Sequence, residues 1–331
     1  MNNYISQETF TLLMLSKIKG VGTKKLLSLF SMPNMGELVF EDLARNLTKD
    51  NRNGSKAIKE ESLHFAETQV AEAKNRNHRI ISIFDHEYPS HLKLLPDAPP
   101  ILFVAGDIEL LNKKTVAVIG TRDPTEHGKI ICERLTKWLV ENNWIIVSGL
   151  AKGIDSISHK TCIENQGRTV AVLAHGLEKI YPSENRNLAD AILASGGAIL
   201  SEYPYNSFTG KSNFVKRDST QAGLSSCVFL VQTGVNGGSL HASRAILKYG
   251  RPLVVVGQSK TDESKRPENA EGNLILLNGS YNDVVNIIGF NYKESLFLKM
   301  KNKDDFSKIN ESIMCFSNPD VIVSPGNYKL L

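Results

Sequence analysis

The chain has 331 residues, of which 39 are Lys or Arg, 35 are Asp or Glu and 41% are hydrophobic, with a net charge of +4. This length allows two or three domains with a sizeable core, and so small a charge means that any nucleic-acid surface must come from local clusters of cations. No apolar window approaches the roughly 18 residues of a membrane span, and the polar residues Asn2, Asn3 and Glu8 argue against a signal peptide, so we expect a cytoplasmic protein without membrane contact.

The first part of the chain, to about residue 74, has the apolar spacing of helices. Gly20 and Gly22 stand between two short helical patterns, which is similar to a helix-hairpin-helix, where backbone amides of the turn bind a phosphate. With the nearby Lys24 and Lys25, these glycines are candidate phosphate contacts. The same glycines are also typical of a tight corner between two packed helices. The pattern leaves both interpretations open.

The middle of the chain, from about residue 80 to 288, alternates Val- and Ile-rich runs with helical patterns. The predicted strands are 115–119, 144–148, 169–173, 198–202, 227–232 and 252–256, and the predicted helices between them are 129–141, 185–194 and 240–249. Strands that are apolar throughout indicate a sheet covered on both faces. The predicted fold class is therefore α/β, a doubly wound Rossmann-like parallel sheet with right-handed crossovers.

The loops that follow the predicted strands are rich in Gly, Ser and Thr. The candidate binding residues in them are Gly120, Thr121, Arg122, Ser148, Gly149, Lys152, Gly153, Gly237, Gly238 and Ser239. Because the carboxyl ends of parallel strands meet at one edge of a sheet, these loops predict an anion pocket of amide donors, helix N-termini and cations. Neither GxGxxG nor GxxxxGK[ST] is present, so we expect no nucleotide cofactor.

The segment 203–217 interleaves flat and basic side chains. Its aromatic residues are Tyr203, Tyr205, Phe208 and Phe214, and its cations are Lys211, Lys216 and Arg217. Single-stranded nucleic acid requires cations for its phosphates and flat side chains on which its bases stack. We interpret this segment as a loop that provides both, and the alternative is a lid whose aromatic residues pack on the domain.

Cysteine and histidine residues show no pattern of a metal or catalytic site. Cys132, Cys162, Cys227 and Cys315 lack Cys-x-x-Cys spacing, which favours reduced structural thiols and no metal. Asp155 is interpreted as a residue that orients loop amides, and no hydrolytic constellation can be assembled from the Ser and His residues. We therefore predict no catalytic residues.

Eight ordered segments together resemble one known family, DprA/Smf. They are DHEYPSHLKLLPDAPPILFVAGD (85–107), VAVIGTRDPTEHG (116–128), VSGLAKGIDSISHK (147–160), GRTVAVLAHGLEKIYPSENRNLADAI (167–192), LSEYP (200–204), NFVKRDSTQAGLSS (213–226), GVNGGSLHASRAILKYGRPLVVVG (234–257) and EGNLILLNGSYNDVVNII (271–288). One departure matters. Where the family usually carries Arg-Asn-Arg, this chain has Arg217, Asp218 and Ser219, so one cation is missing and a carboxylate is added.

The resemblance implies a recombination mediator that binds single-stranded DNA and hands it to a RecA-type recombinase. It further implies that Arg122 contacts the DNA backbone, that Lys216 or Arg217 makes a further phosphate contact, and that the protein forms a homodimer through residues 240–288. Two alternatives use the same pocket: a sensor of a nucleotide ligand, and a phosphoribohydrolase-like enzyme. The second is disfavoured because Leu240 and His241 stand where those enzymes place a carboxylate.

The predicted organisation has three parts. Residues 1–78 form a helical domain with the hairpin, residues 79–289 form the Rossmann-like domain, and residues 290–331 form a short extension in place of the winged helix that ends many family members. Within the extension, residues 292–303 are predicted as one basic helix and residues 317–326 as a single strand.

Overall fold

The computed structural model describes residues 4–31, 39–48 and 56–318. The strands are β1 (Arg79–Ser82), β2 (Ile101–Gly106), β3 (Thr115–Gly120), β4 (Ile145–Ser148), β5 (Thr169–Leu173), β6 (Ala198–Ser201), β7 (Val228–Gln232), β8 (Leu253–Val256) and β9 (Phe297–Met300). The helices are α1 (Gln7–Ser16), α2 (Thr23–Ser28), α3 (Phe40–Thr48), α4 (Lys56–Arg76), α5 (Ser90–Lys93), α6 (Glu126–Glu141), α7 (Ile154–Glu164), α8 (Arg186–Ala194), α9 (Lys211–Leu224), α10 (Leu240–Lys248), α11 (Lys260–Lys265), α12 (Glu268–Asn278), α13 (Tyr281–Ile288) and α14 (Phe306–Met314). None of these helices is both long and apolar enough to cross a bilayer.

All of these strands join one sheet in the order β1-β2-β6-β5-β4-β3-β7-β8-β9. The seven strands from β6 to β9 in that order are parallel, and β1 and β2 add an antiparallel edge. The chain moves outward from β3 to β6 and then returns through α9 to place β7 on the other side of β3. This reversal of direction at β3 is the topological switch beside which open α/β sheets bind ligands.

Successive side chains along the central strands point to opposite faces of the sheet and so pack into two separate cores. Ala117 and Ile119 pack with residues of α9 and α10 on one face, whereas Val116 and Val118 pack on the other face with residues of α6. Each strand therefore needs apolar residues at the positions that face either side of the sheet, which is why the apolar runs are continuous in the sequence. The predicted fold class is confirmed, and each of the six predicted strands is present with bounds that differ by no more than one residue at either end.

The helical N-terminal part shares a core with the sheet. Leu13 of α1 lies in one cluster of buried residues with Phe103 of β2 and Ile199 of β6. The hydroxyl oxygen of Thr9 lies 2.6 Å from Ser82 Oγ, and the amide of Ile80 donates to the carbonyl of Tyr4 at 2.9 Å. Removal of residues 1–78 would thus uncover apolar surface of the sheet. The division at residue 78 stays a prediction.

One predicted element of the C-terminal extension is wrong. Residues 292–303 do not form a helix, because β9 lies within them and pairs in parallel with β8. Phe297 packs on one face of the sheet and Met300 on the other, as alternation in a strand requires. The basic residues of this segment suggested a surface helix, and the open edge of β8 that accepts the strand cannot be seen in a local pattern. Most of the predicted strand at 317–326 lies outside the described residues.

Candidate nucleic-acid interface

A small cleft of about 60 Å³ lies where the central parallel strands end. It is lined by Arg122, Gly149, Ala151, Lys152, Leu173, Ala174, His175, Tyr181, Pro182, Phe214 and Arg217. These residues come from the end of β5, from the loops after β3, β4 and β5, and from the first two turns of α9. We call this site the strand-end cleft. The structure therefore brings together five of the predicted site residues, namely Arg122, Gly149, Lys152, Phe214 and Arg217.

Two aromatic rings and an exposed cation form the rim of the strand-end cleft. The guanidinium carbon of Arg122 lies 5.8 Å from the centre of the Phe214 ring. That ring meets the ring of Tyr181 edge-on at 6.1 Å, and Tyr181 is 58% exposed. Sequence reasoning missed Tyr181 as a site residue, although it lies within one of the eight segments and follows β5 at the same edge. The rim thus offers a cation beside flat side chains that solvent can reach.

Lys152 projects from the loop after β4 into solvent. Its ammonium lies 2.7 Å from a carboxylate oxygen of Glu184, and both side chains are more than half exposed. An exposed ion pair contributes little free energy because water screens it. A phosphate can therefore replace Glu184 at small cost.

The segment 203–217 is not the continuous loop that the sequence suggested, because α9 begins at Lys211. The buried residues in the middle turns of α9 are Arg217, Thr220 and Gln221, which are polar, and the apolar Ala222 and Leu224 follow only near its end. The first turns of α9 therefore lack the apolar period by which helices are recognised in a sequence. Phe214 and Lys211 accordingly sit on a fixed scaffold instead of a mobile loop.

Tyr205 does not belong to the accessible aromatic residues, contrary to the sequence interpretation. It is 3% exposed, its hydroxyl lies 3.0 Å from His78 Nδ1, and its ring packs edge-on against Phe103 at 5.4 Å. The aromatic residue that solvent reaches most freely in this segment is Phe208, which is 89% exposed. For Tyr205 the packing alternative is correct.

Arg217 forms the floor of the strand-end cleft instead of an exposed phosphate contact. Its side chain is 6% exposed, and its guanidinium donates to the carbonyl oxygens of Gly149 and of Val172, the latter at 3.1 Å. A Cβ at position 149 would collide with this guanidinium, which explains the glycine. Arg217 therefore joins the carboxyl ends of β4 and β5. Sequence reasoning expected a solvent-facing cation here because it placed the residue on a loop.

Two carboxyl groups flank the buried guanidinium. Asp218 Oδ1 lies 2.9 Å from Arg217 Nε, and Asp155 accepts the amide of Ala151 at 3.3 Å, as predicted for a residue that orients loop amides. Burial raises the pKa of Asp155, although the charge of Arg217 opposes the shift. Burial also raises the pKa of Asp218 to about 6, again against the pull of Arg217. For the pKa of Asp218, the effect of desolvation is thus larger than the effect of the ion pair with Arg217.

The remaining residues of the β3 and β4 loops shape the turns. Ser148 is buried and donates to the carbonyl of Val118 at 2.8 Å. At Gly120 a Cβ would lie 2.5 Å from the Ile154 side chain. Gly153 has a φ of +73° and caps α7, which favours glycine. The amide of Thr121 donates to the carbonyl of Gln232 at 2.8 Å and so ties the β3 loop to β7.

Three further predicted residues lie in the loop between β7 and α10, and none of them lines the strand-end cleft. The hydroxyl of Ser239 donates to Thr233 Oγ1 at 2.8 Å, and α10 begins at the next residue, as predicted. At Gly237 a Cβ would collide with Thr233 Oγ1, whereas Gly238 has open space around it. The loop follows β7, on the far side of β3 from β4 and β5.

Lys216 and the hairpin lysines lie away from the strand-end cleft. Lys216 Nζ contacts Glu202 Oε2 at 2.5 Å, and the Glu202 side chain is 2% exposed. In the hairpin, Gly20 has a φ of +82° and Gly22 caps α2. Lys24 and Lys25 are both exposed, so the turn between α1 and α2 is present as predicted. Its role as a phosphate contact stays a prediction.

His159 and the cysteines other than Cys315 lie in the interior of the protein. Burial lowers the pKa of His159 to about 3, and its Nδ1 lies 2.7 Å from Thr169 Oγ1. The four cysteines are free thiols, and all but Cys315 are buried. Within residues 4–31, 39–48 and 56–318, no cluster of three or more His, Cys, Asp or Glu side chains could hold a metal ion.

Together, the switch point and the strand-end cleft define an open α/β protein with a cation-bearing cleft at the carboxyl edge of its parallel strands. A family model described as DNA recombination-mediator protein A matches residues 79–275, more than half of the chain. The chain belongs to this family, whose curated members carry the names DprA and Smf. The resemblance drawn from the eight segments is thus confirmed.

Two curated relatives agree with this assignment. The DNA processing protein DprA of Bacillus subtilis is 41% identical over 183 residues, which cover 55% of this chain and 61% of that protein. Protein Smf of Escherichia coli is 34% identical over 56% of this chain and 50% of its own length. The aligned part of the chain thus spans about half to three fifths of these two curated relatives.

Two solved structures superimpose on the chain. DprA from Streptococcus pneumoniae matches with a TM-score of 0.68 and 28% identity, covering 91% of this chain and 97% of that one. DNA processing protein A from Helicobacter pylori, whose single-stranded DNA binding mode has been described, matches with a TM-score of 0.56 and 27% identity over 71% of this chain and 95% of that one.

Asp218 gives a prediction about stability. Because its pKa rises from an ordinary 3.8 to about 6 in the folded protein, the folded state holds its proton more tightly than the unfolded state. The wild type should therefore lose stability from this group as the pH rises from about 4 to about 6. The Asp218→Asn variant cannot become charged and so does not lose this stability. Its free energy of unfolding at pH about 7.5 should therefore exceed that of the wild type by on the order of 1–3 kcal/mol. Urea unfolding at both pH values measures the difference. A gain of equal size at pH about 4 would contradict the explanation.

Proposed function

We propose that the chain binds single-stranded DNA in the strand-end cleft and acts as a recombination mediator. The observation that carries the proposal is the rim on which Arg122 lies against Phe214, with the exposed ring of Tyr181 beside it. A guanidinium pairs with phosphate, and flat rings stack on bases, which are free in a single strand and hidden in a duplex. The described binding mode of the Helicobacter pylori relative supports the same ligand.

The partners and setting follow from family membership. We infer that the protein passes its DNA to a RecA-type recombinase and that it forms a homodimer through the surface of residues 240–288. We further infer that it works in the cytoplasm, where the DNA and the recombinase would both be found. The proposed mechanism breaks no bond. Its support is that Arg217 on the cleft floor, and the carboxyl groups of Asp155 and Asp218 behind it, are engaged with one another and with backbone groups.

Binding to single strands should exceed binding to duplex at every salt concentration. We expect labelled oligo-dT to bind more tightly than a matched duplex, because the stacking part of the free energy is available to the single strand alone. Raising the salt should weaken both, since phosphate contacts release counterions. Fluorescence anisotropy at two salt concentrations tests this. Duplex affinity equal to that for oligo-dT would refute the proposed ligand.

Arg122→Ala should weaken binding to all single-stranded sequences by on the order of 1–3 kcal/mol and reduce the salt dependence by about one contact. Arg122 is exposed and follows β3, so thermal stability should not change. Arg134→Ala is the matched control, because it removes the same charge from an exposed position on α6. If both variants lose affinity equally, net charge and not the cleft is responsible. If neither does while nucleotide binding falls in Arg122→Ala, the chain is a nucleotide sensor instead.

The aromatic residues should separate into two classes. Phe214→Ala and Tyr181→Ala each remove a ring at the rim, so each should cost about 1–3 kcal/mol of single-strand affinity with little change in melting temperature. Tyr205→Ala removes a buried ring and should cost about 3–5 kcal/mol of stability, while the folded protein keeps its affinity. Anisotropy and thermal unfolding of the three variants test the distinction. Loss of affinity in folded Tyr205→Ala would mean that its segment contacts the DNA.

A further inference from the structure

A second cavity, of about 200 Å³, lies at the junction of the N-terminal hairpin and the sheet domain. Lys24 of α2 contributes to one wall and Lys216 and Ser219 of α9 to another, and Leu95 and Tyr249 add apolar surface. We call it the hairpin groove. Its volume falls below the roughly 300–1,000 Å³ typical of sites that enclose a small molecule.

Helix α9 borders both the strand-end cleft and the hairpin groove. Phe214 lines the cleft and Ser219 lines the groove, and five positions on a helix are separated by about 7.5 Å along its axis and by about 140° around it. The path over the surface of a helix about 10 Å wide is then roughly 14 Å. At about 3.4 Å per nucleotide in a stacked strand, this path corresponds to roughly four nucleotides. Val215, which lies between them, is 41% exposed, so the surface that joins the two sites is open to solvent.

The chemistry of the hairpin groove fits a continuation of the same ligand. Lys24 and Lys216 provide cations for phosphates, and the half-buried Tyr249 provides an aromatic surface. One group opposes this: Asp97, which accepts the Tyr249 hydroxyl at 3.1 Å, adds a negative charge. Lys216 is also paired with the carboxylate of Glu202, so the two cations stand against two carboxylates. The groove therefore has little net charge to attract a phosphate from solution and is useful mainly to a strand already held elsewhere.

We propose that single-stranded DNA bound in the strand-end cleft continues across α9 into the hairpin groove, where Lys24 contacts its backbone. This inference rests on the proposed function and extends it to a second subsite. The hairpin then acts through one lysine on the groove wall, and the two candidate DNA surfaces of the sequence analysis are parts of one path.

Neighbouring lysines provide a matched test. Lys24 and Lys25 are both exposed on α2, and of the two Lys24 alone lines the groove. Lys24→Ala should weaken binding of oligo-dT of about 15 nucleotides by about three- to tenfold, and binding of oligo-dT of about three nucleotides by less than about twofold. Lys25→Ala should change both by less than about twofold. The full-length chain is used throughout, since the helical part shares the core of the sheet.

A variant that should gain affinity provides a second, independent test. Asp97→Asn keeps an acceptor for the Tyr249 hydroxyl and removes the opposing charge, so it should strengthen binding of the longer oligonucleotide by about two- to threefold and leave the short one unchanged. Calorimetry with both lengths measures all three variants.

The outcomes separate this inference from the proposed function. Suppose that the wild type binds both lengths and that Arg122→Ala weakens this binding. If Lys24→Ala and Lys25→Ala then have equal effects, the path through the groove is overturned and the assignment of the cleft stays intact. Failure of the wild type to bind either length would overturn the proposed function itself. An effect of Lys24→Ala that is the same for both lengths would also overturn the path, because the short strand cannot span α9.

Discussion

The guanidinium of Arg217 is the contact on which the strand-end cleft depends. It donates to the carbonyl oxygens of Gly149 and Val172 and so joins the ends of two parallel strands through one side chain of α9. A buried cation is costly unless polar groups compensate it, and these two carbonyl oxygens supply that compensation. The position of α9, and with it that of Phe214 at the rim, is thereby fixed relative to the loops that carry Arg122 and Lys152.

The same contact explains the local sequence around it. Gly149 leaves the space that the guanidinium fills, and Asp155 holds the loop amide that follows. Asp218 is less well matched, because burial raises the pKa of its carboxyl more than Arg217 lowers it. The carboxylate is therefore a local cost in a site whose other members agree with one another.

The sequence predicts those parts of the molecule that depend on near neighbours. The six strands are continuous Val- and Ile-rich runs, and because parallel strands end at one edge, the convergence of Arg122, Gly149 and Lys152 could be anticipated. What it does not show depends on partners far along the chain. Arg217 is buried against carbonyl groups at the ends of β4 and β5. Tyr205 is buried against His78 and Phe103, and β9 pairs with the open edge of β8. Each of these segments looks exposed when its own residues are considered alone.

The charges that remain at the surface suggest why an extended strand would be the preferred ligand. Lys152 is shared with Glu184 and Lys216 with Glu202, and Arg122 rests against the Phe214 ring. A phosphate must displace a carboxylate at two of these three sites, so the contacts with Lys152 and Lys216 each add little free energy. With a net charge of +4 the long-range attraction is also small. Useful affinity must therefore accumulate over several phosphates and stacked bases, which a mononucleotide cannot supply and a single strand of sufficient length can.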